Sequence, residues 1–339
     1  MAVSNPLFVA DAEWLAHRYD AQADRIRFYH VPRARHREIS FLTDDNIGDA
    51  PVVAFDRKEA VTGAPQGTAH FIFHSAFCAS TMLVRAMDHH GIAMGLSEPV
   101  ILNDIVGYRR RGEFQPPDVA RALGDALTLL ARPFATGEPV IIKPSNVLNT
   151  LAGAMLAIRP DSNALFLYAP LPVFLASVAR KGMWCRLWAR ELLEGLLQEG
   201  ALNLGFEAKD YFRLTDLQVA AVGWLAQHAI FQALAARVGP ERLRSLDSET
   251  LMSDQGKAVA ALAIHFGRDA AQAASLADNP ALRRHSKTGT AFDPDQRREE
   301  QQQARAAYGD EIEKVSLWAA AVAKNAGVSL AQPAPLLPD

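Results

Sequence analysis

The sequence predicts an α/β fold: a parallel sheet of about five strands flanked by helices, with helical insertions. Three observations predict it. Short apolar runs rich in β-branched and aromatic residues recur at 68–74, 91–96, 139–143, 163–168 and 242–246. Segments of helical period separate them. The runs are almost continuously apolar rather than alternating, as in strands covered on both faces.

The elements follow in order. Residues 9–30 read as a helix, with Trp14, Leu15, Tyr19, Ile26 and Tyr29 available for burial. A basic cluster (Arg33, Arg35, His36, Arg37) leads to a strand candidate, Ile39 to Leu42, and 43–67 carries Asp, Gly and Pro as a surface connection should. The first sheet strand, Thr68 to His74, is followed by a helix from Ser80 to His90. Gly91 to Leu96 is the second strand, and helices fill 99–111 and 117–132. Pro139 to Lys143 is the third, with a helix over 145–158 capped by Ser145 or Asn146. Asn163 to Tyr168 is the fourth, with helices at 171–181, 184–199 and 214–237. Arg242 to Leu246 is the fifth, and a helix follows at 253–266. An irregular stretch, 278–292, precedes a last helix over 294–325. These assignments predict an N-terminal helix/strand extension at 1–67, an α/β domain at 68–325 and a tail at 326–339.

Composition narrows the function. Apolar residues are 49% and charged residues 22%, which fits a globular chain rather than a disordered one. The net charge of −3 excludes a strongly basic nucleic-acid binder at the level of the whole chain, and no nucleic-acid partner is expected. Two cysteines, Cys78 and Cys185, build neither a disulfide framework nor a cysteine-rich zinc site. No metal is expected. The charged N-terminal stretch lacks a signal-peptide core, no membrane-spanning helix is expected, and a reducing cytoplasm is the expected compartment.

Ligands of open α/β sheets bind at the carboxyl ends of the strands. There the first strand enters His74-Ser75-Ala76-Phe77-Cys78-Ala79-Ser80-Thr81, small residues ahead of a helix. Backbone amides and the Ser80 and Thr81 hydroxyls are donors suited to a phosphate. The loop is not G-x-x-x-x-G-K-[ST]: the glycine positions hold His74 and Ala79, and the lysine position holds Ser80. Cys78 and Arg85 lie one residue too far apart for a cysteine phosphatase loop. A purely structural strand–turn–helix, with Cys78 as a small buried hydrophobe, is the competing reading.

The chain here resembles the sulfotransferase family, whose first-strand loop reads [K/R]-S-G-[ST]-T. Cys78-Ala79-Ser80-Thr81 matches its last four positions loosely. LSEPVILNDI (96–105) resembles the segment after the second strand of bacterial members. NALFLYAPLPVFLASVARKG (163–182) stands where the family holds the 3′-phosphate, LRSLDSETLMSD (243–254) resembles a later strand and acidic turn, and RRHSKTG (283–289) falls at the late basic segment. The resemblance spans 68–325 in pieces. It implies a P-loop nucleotide-binding type of fold and sulfuryl transfer from 3′-phosphoadenosine 5′-phosphosulfate to a hydroxyl of a small-molecule, glycan or lipid acceptor. The sequence departs from the family at Phe77, where the loop cation belongs, at Ala79, where the glycine belongs, and at Tyr168-Ala169, where an arginine precedes the proline.

Sulfuryl transfer needs a base, charge on the leaving phosphate and a clamp on the donor. Glu98 is the candidate base; a helix-start carboxylate is the alternative. Lys143 and His74 are candidates for the charge, against a strand-end lysine in solvent and a core histidine with its hydrogen bond satisfied. Ser75, Cys78, Ala79, Ser80 and Thr81 would line the 5′ phosphosulfate. Ser177 and Arg180, three apart on one helix, would hold the 3′-phosphate, and Lys287 in the late basic run would close over it. Tyr108-Arg109-Arg110-Arg111 is a possible acidic-acceptor contact or a helix end, and Trp184, Trp188, Trp224 and Trp318 read as core or interface anchors. Two other classes remain open: an ATP- and magnesium-dependent P-loop phosphotransferase, and a non-catalytic nucleotide-binding protein that kept the fold.

Overall fold

The computed structural model describes residues 6–201, 204–283 and 294–337. Its fold is a mixed α/β one built on a five-stranded parallel sheet flanked by helices. Three antiparallel strands come first: β1 (Trp14–Asp20), β2 (Arg25–His30) and β3 (Val52–Asp56). The parallel strands are β4 (Ala69–His74), β5 (Met94–Ser97), β6 (Val140–Lys143), β7 (Ala164–Tyr168) and β8 (Leu243–Asp247), in the order β5-β6-β4-β7-β8. All six residues of β4 and all four of β6 are buried, as strands covered on both faces require.

Contacts gather the chain into two compact units. The first holds the residues up to Phe73, the segment Ser80–Ala164 and the stretch that begins at Gln255. The second holds His74–Ala79, Leu165–Asp254 and the C-terminal segment from Ala291.

In the first unit, β6 pairs with β4 (His70↔Ile141) and with β5 (Ser97↔Lys143). The three-stranded sheet corrects the expected helix over 9–30. Asp20 Oδ1 accepts from the amides of Gln22 and Ala23 and turns the chain, and Asp24 at φ +49° completes the turn. The alternation Arg25-Ile26-Arg27-Phe28 then buries every second side chain, a strand period that outweighs the looser helical spacing. Ile39–Leu42 is not a strand, and the expected surface connection 43–67 contains a helix Asp44–Ile47, the strand β3 and a helix Arg57–Thr62 capped by Asp56. Arg132 staples the N-terminal segment. Its buried guanidinium donates to the carbonyls of Val9 (2.7 Å), Asp11 (3.1 Å), Trp14 (2.5 Å) and Leu129 (2.6 Å), and burial pulls it down to about 10. Tyr108, at the end of the helix Val100–Arg110, accepts the amide of Ala21 and carries the Arg111 guanidinium 4.8 Å above its ring.

In the second unit, the helix Asp216–Val238 is long and apolar enough to cross a membrane, contrary to expectation. No Asp, Glu, Lys or Arg interrupts it from Leu217 to Ala236. Two thirds of its most apolar window (67%) is buried within the protein, where Phe231 stacks on Phe166 at 3.9 Å. The C-terminal residues run beside β8: Ser245 N–H donates to Ala334 O and Leu336 N–H to Ser245 O. Both cysteines are buried and free.

Candidate functional site

In the first unit, Glu98 and Lys143 form an ion pair at the carboxyl ends of β5 and β6. Lys143 is fully buried, and its ammonium lies 5.1 Å above the Phe41 ring. The Glu98 side chain keeps 21% of its surface exposed. The backbone matters as much. Glu98 sits at φ +51° directly before Pro99. Both facts oppose its native conformation: a residue before proline prefers extended backbone, and the left-handed region costs an L-residue about 1–2 kcal/mol. The conformation is held from both ends of Lys143, whose carbonyl accepts the Glu98 amide at 2.6 Å and whose ammonium binds the Glu98 carboxylate. Strain retained this way concentrates where a side chain must be aimed. Ser97, one residue earlier, carries a buried hydroxyl with no hydrogen-bond partner among the described residues. Ser80 and Thr81, also in this unit, are buried at the start of the helix Ser80–Ala86. That helix has seven residues, not the eleven expected from 80–90. Little macrodipole is then available to an anion, and the backbone of the preceding loop carries more of the argument.

That loop, His74–Ala79, belongs to the second unit. Three of its six residues, none a glycine, have positive φ: Ala76 (+71°), Phe77 (+54°) and Ala79 (+65°). Ala79 occupies the position where the resemblance expects glycine, and it adopts the glycine-like backbone without the glycine. Positive φ in neighbouring residues turns backbone amides toward one side, as in an anion-binding nest, although the Ala76 amide is already donated to His74 Nδ1 and the Ser75 amide to Leu167 O. The first member of the loop is committed elsewhere. His74 Nδ1 accepts the Ala76 amide at 3.1 Å, so this nitrogen donates nothing to a ligand. Ser75 is fully buried; its hydroxyl accepts the Ala169 amide at 3.2 Å, and its own amide donates to Leu167 O. It ties the loop to the end of β7. Cys78 is fully buried.

Phe77 is packed, not exposed. Its ring lies 5.8 Å from Phe174 and 5.3 Å from Trp188, and the Lys181 ammonium sits 5.5 Å from its centroid. Phe174 and Lys181 belong to the helix Leu171–Arg180 and its C-cap. Ser177 and Arg180 lie on that helix, as expected, but the Ser177 hydroxyl donates to the Val173 carbonyl at 3.0 Å. It can accept from a ligand as it stands, and must break that bond to donate to a phosphate. Lys287 lies outside the described residues.

Of the tryptophans, Trp224 is buried with its indole N–H on Ala169 O at 2.9 Å, whereas Trp184 is 68% exposed. The sequence does not show what the Lys181 ammonium lies against; the fold places it 5.5 Å from the Phe77 ring centroid. Among the described residues no group of three or more His, Cys, Asp or Glu is arranged to hold a metal ion.

No protein-family model matches the chain. No curated protein matches it either. Among solved structures it is similar to a sulfotransferase domain from the curacin biosynthetic pathway, at 12% identity and a TM-score of 0.40, over 72% of this chain and 98% of that one. At that level of likeness no residue's role is carried across.

Proposed function

We propose that this protein is a sulfotransferase-type enzyme that moves a sulfuryl group from 3′-phosphoadenosine 5′-phosphosulfate to a hydroxyl acceptor. The observation that carries the reading is the backbone of the His74–Ala79 loop, where three non-glycine residues hold positive φ. A cost of about 1–2 kcal/mol at each is retained only where the surroundings impose it, and binding an anion against the loop backbone would give it a use.

On this reading the loop amides hold the 5′ phosphosulfate. Ser177 and Arg180 hold the 3′-phosphate by one hydroxyl and a guanidinium fork. Glu98 takes the acceptor's hydroxyl proton. The acceptor oxygen forms its bond to sulfur, the bond from sulfur to the phosphate oxygen breaks, and its electron pair leaves on 3′-phosphoadenosine 5′-phosphate. Lys143, bound to Glu98, aims the carboxylate.

One observation favours a second reading, a nucleotide-binding protein without turnover: the loop position that carries a cation in the family is Phe77. A release assay separates the two. Incubation with the phosphosulfate donor and a panel of alcohols, phenols, glycans and lipid alcohols is expected to liberate the bisphosphate with at least one acceptor. Glu98→Gln is expected to cut that turnover about a hundredfold or more while leaving bisphosphate affinity within severalfold. Turnover at the wild-type rate in Glu98→Gln removes Glu98 as the base. Binding of the bisphosphate without release from any acceptor supports the second reading.

A further inference from the structure

We propose that the cleft between the helix Leu171–Arg180 and the helix Pro294–Ala326 binds an elongated apolar molecule with one carboxylate, of the fatty-acid class, its carboxylate on Arg305 and its chain running past Gly309 toward Leu317. The inference goes beyond the sulfuryl-transfer reading and does not depend on it.

Both helices belong to the second unit. The cleft has a volume of about 520 Å³, within the range of small-molecule sites. Pro172, Val173 and Ala176 form one wall, and none of them is long enough to fill the space opposite. The other wall is a stripe of the long helix: positions 305, 309, 312 and 316 recur at intervals of three and four and so share a face. Leu317 extends that wall and is 67% exposed, a large apolar side chain left without cover at the end of the cleft.

Gly309 keeps the middle of the cleft open. Glycine inside a helix is unfavourable, and a positive φ or a close backbone approach usually explains it. Neither applies here. Gly309 is not at positive φ, and a Cβ placed on it would meet nothing within 4 Å outside its own helix. The missing side chain leaves room for a guest between Arg305 and Ile312.

The charge of the cleft sits at one end. Arg305 is exposed and has no ion-pair or hydrogen-bond partner among the described residues. The residues one turn to either side of it, Gln301, Gln302, Tyr308 and Gly309, carry no carboxylate. Glu313 also lines the cleft, but it stands eight residues on, about 12 Å along the axis, and has the Lys314 ammonium for a neighbour. An anionic head is therefore attracted at Arg305 and kept clear of Glu313. From Arg305 to Leu317 the stripe runs about 18 Å, a length that suits an extended chain rather than a compact ring.

The test is titration calorimetry on the full chain with decanoate, and with decanol as the neutral comparison, both below the concentrations at which they aggregate. Wild type is expected to bind decanoate about tenfold more tightly than decanol, the scale of one charge-assisted hydrogen bond. Arg305→Ala is expected to lose that preference while holding decanol affinity within severalfold, a split that a merely structural arginine would not give. Gly309→Leu fills the cleft from its own wall. It puts a strong helix former in place of glycine, so it is expected to melt at or above wild type and to bind decanoate at least tenfold more weakly. Ala176→Leu fills the cleft from the facing helix and is expected to weaken decanoate binding in the same way. Equal decanoate affinity in wild type and both filled variants overturns the inference, as does a wild type that binds neither probe or does not distinguish acid from alcohol. A wild-type dimer that Gly309→Leu turns into a monomer gives the cleft to a second copy of the chain and overturns it. Decanoate binding that appears only when residues 284–293 are replaced by a glycine–serine linker gives the cleft to that segment, with the same consequence. A chain that binds decanoate as expected and does not bind 3′-phosphoadenosine 5′-phosphate overturns the proposed function and leaves this inference standing.

Discussion

The Glu98–Lys143 pair and the His74–Ala79 loop solve opposite problems. The pair is a side-chain device: two opposite charges, one fully buried, hold each other and a strained backbone in place. The loop is a backbone device. Its side chains are apolar or already bonded, and what sets it apart is a backbone shaped by positive φ. The pair can be found in a sequence by residue type. The loop cannot, because alanine in a glycine conformation looks like any alanine. Electrostatic substitutions should therefore act most on the pair, and backbone substitutions on the loop.

The largest effect is expected at Lys143. Lys143→Met removes one partner of a buried ion pair and releases Glu98 from its clamp, which should cost about 3–5 kcal/mol. A urea midpoint indistinguishable from wild type would show that the pair is not what fixes this corner of the first unit.

The same unit carries a buried histidine that should make it sensitive to acid. His70 accepts the Asn163 amide at Nδ1, 3.0 Å away, and stacks on Phe266 at 4.8 Å. Burial, with the Arg268 and His265 charges adding to it, pushes its pKa from the ordinary 6.5 down to about 4. The unfolded chain then binds a proton that the folded one refuses between those two values. Stability from this group is complete above pH 6.5 and is lost as pH falls toward 4, by about 3 kcal/mol in all. Urea midpoints at pH 7.5 and 4.5 measure it when compared with His70→Gln. Equal pH sensitivity in both chains contradicts it.

Backbone relief in the loop should be smaller and of opposite sign. Ala79→Gly removes a left-handed penalty of about 1–2 kcal/mol and loosens the unfolded chain by about 0.5–1, a net gain of about 0.5–1 kcal/mol. A lower melting temperature in Ala79→Gly would mean that the alanine methyl contributes packing that outweighs the strain.

The smallest stability effect is expected at Ser177, whose hydroxyl returns to the carbonyl one turn back. Ser177→Ala should shift stability by about 0.5 kcal/mol or less, since such a bond adds little to a helix. On the proposed function it should weaken bisphosphate binding severalfold, so calorimetry and melting separate its two roles. Unchanged affinity would remove Ser177 from the nucleotide site.

Much of the parallel sheet was legible because its strands are apolar on both faces and its helices keep a clear period. β4, β6 and β7 fall within a residue or two of their expected bounds. The N-terminal sheet was not. Trp14, Leu15 and Tyr19 satisfy a helical stripe by chance of spacing, and the turn signals at Asp20 and Asp24 carry less weight by eye than a run of apolar residues. At the candidate site, Glu98 and Lys143 were legible as residue types at strand ends, but their pairing depends on the register of β5 on β6, which one sequence does not print. The contact of Lys181 with Phe77 was not legible, since it joins residues far apart in the sequence.

The measurement that tests the account most directly is thermal unfolding of the full chain with 3′-phosphoadenosine 5′-phosphate, and separately with ATP plus magnesium. A ligand bound only by the folded state at a hundred times its dissociation constant adds about 2.7 kcal/mol. The account predicts a clear upward shift with the bisphosphate and no magnesium. A shift with ATP and magnesium alone, or none with either nucleotide, contradicts it.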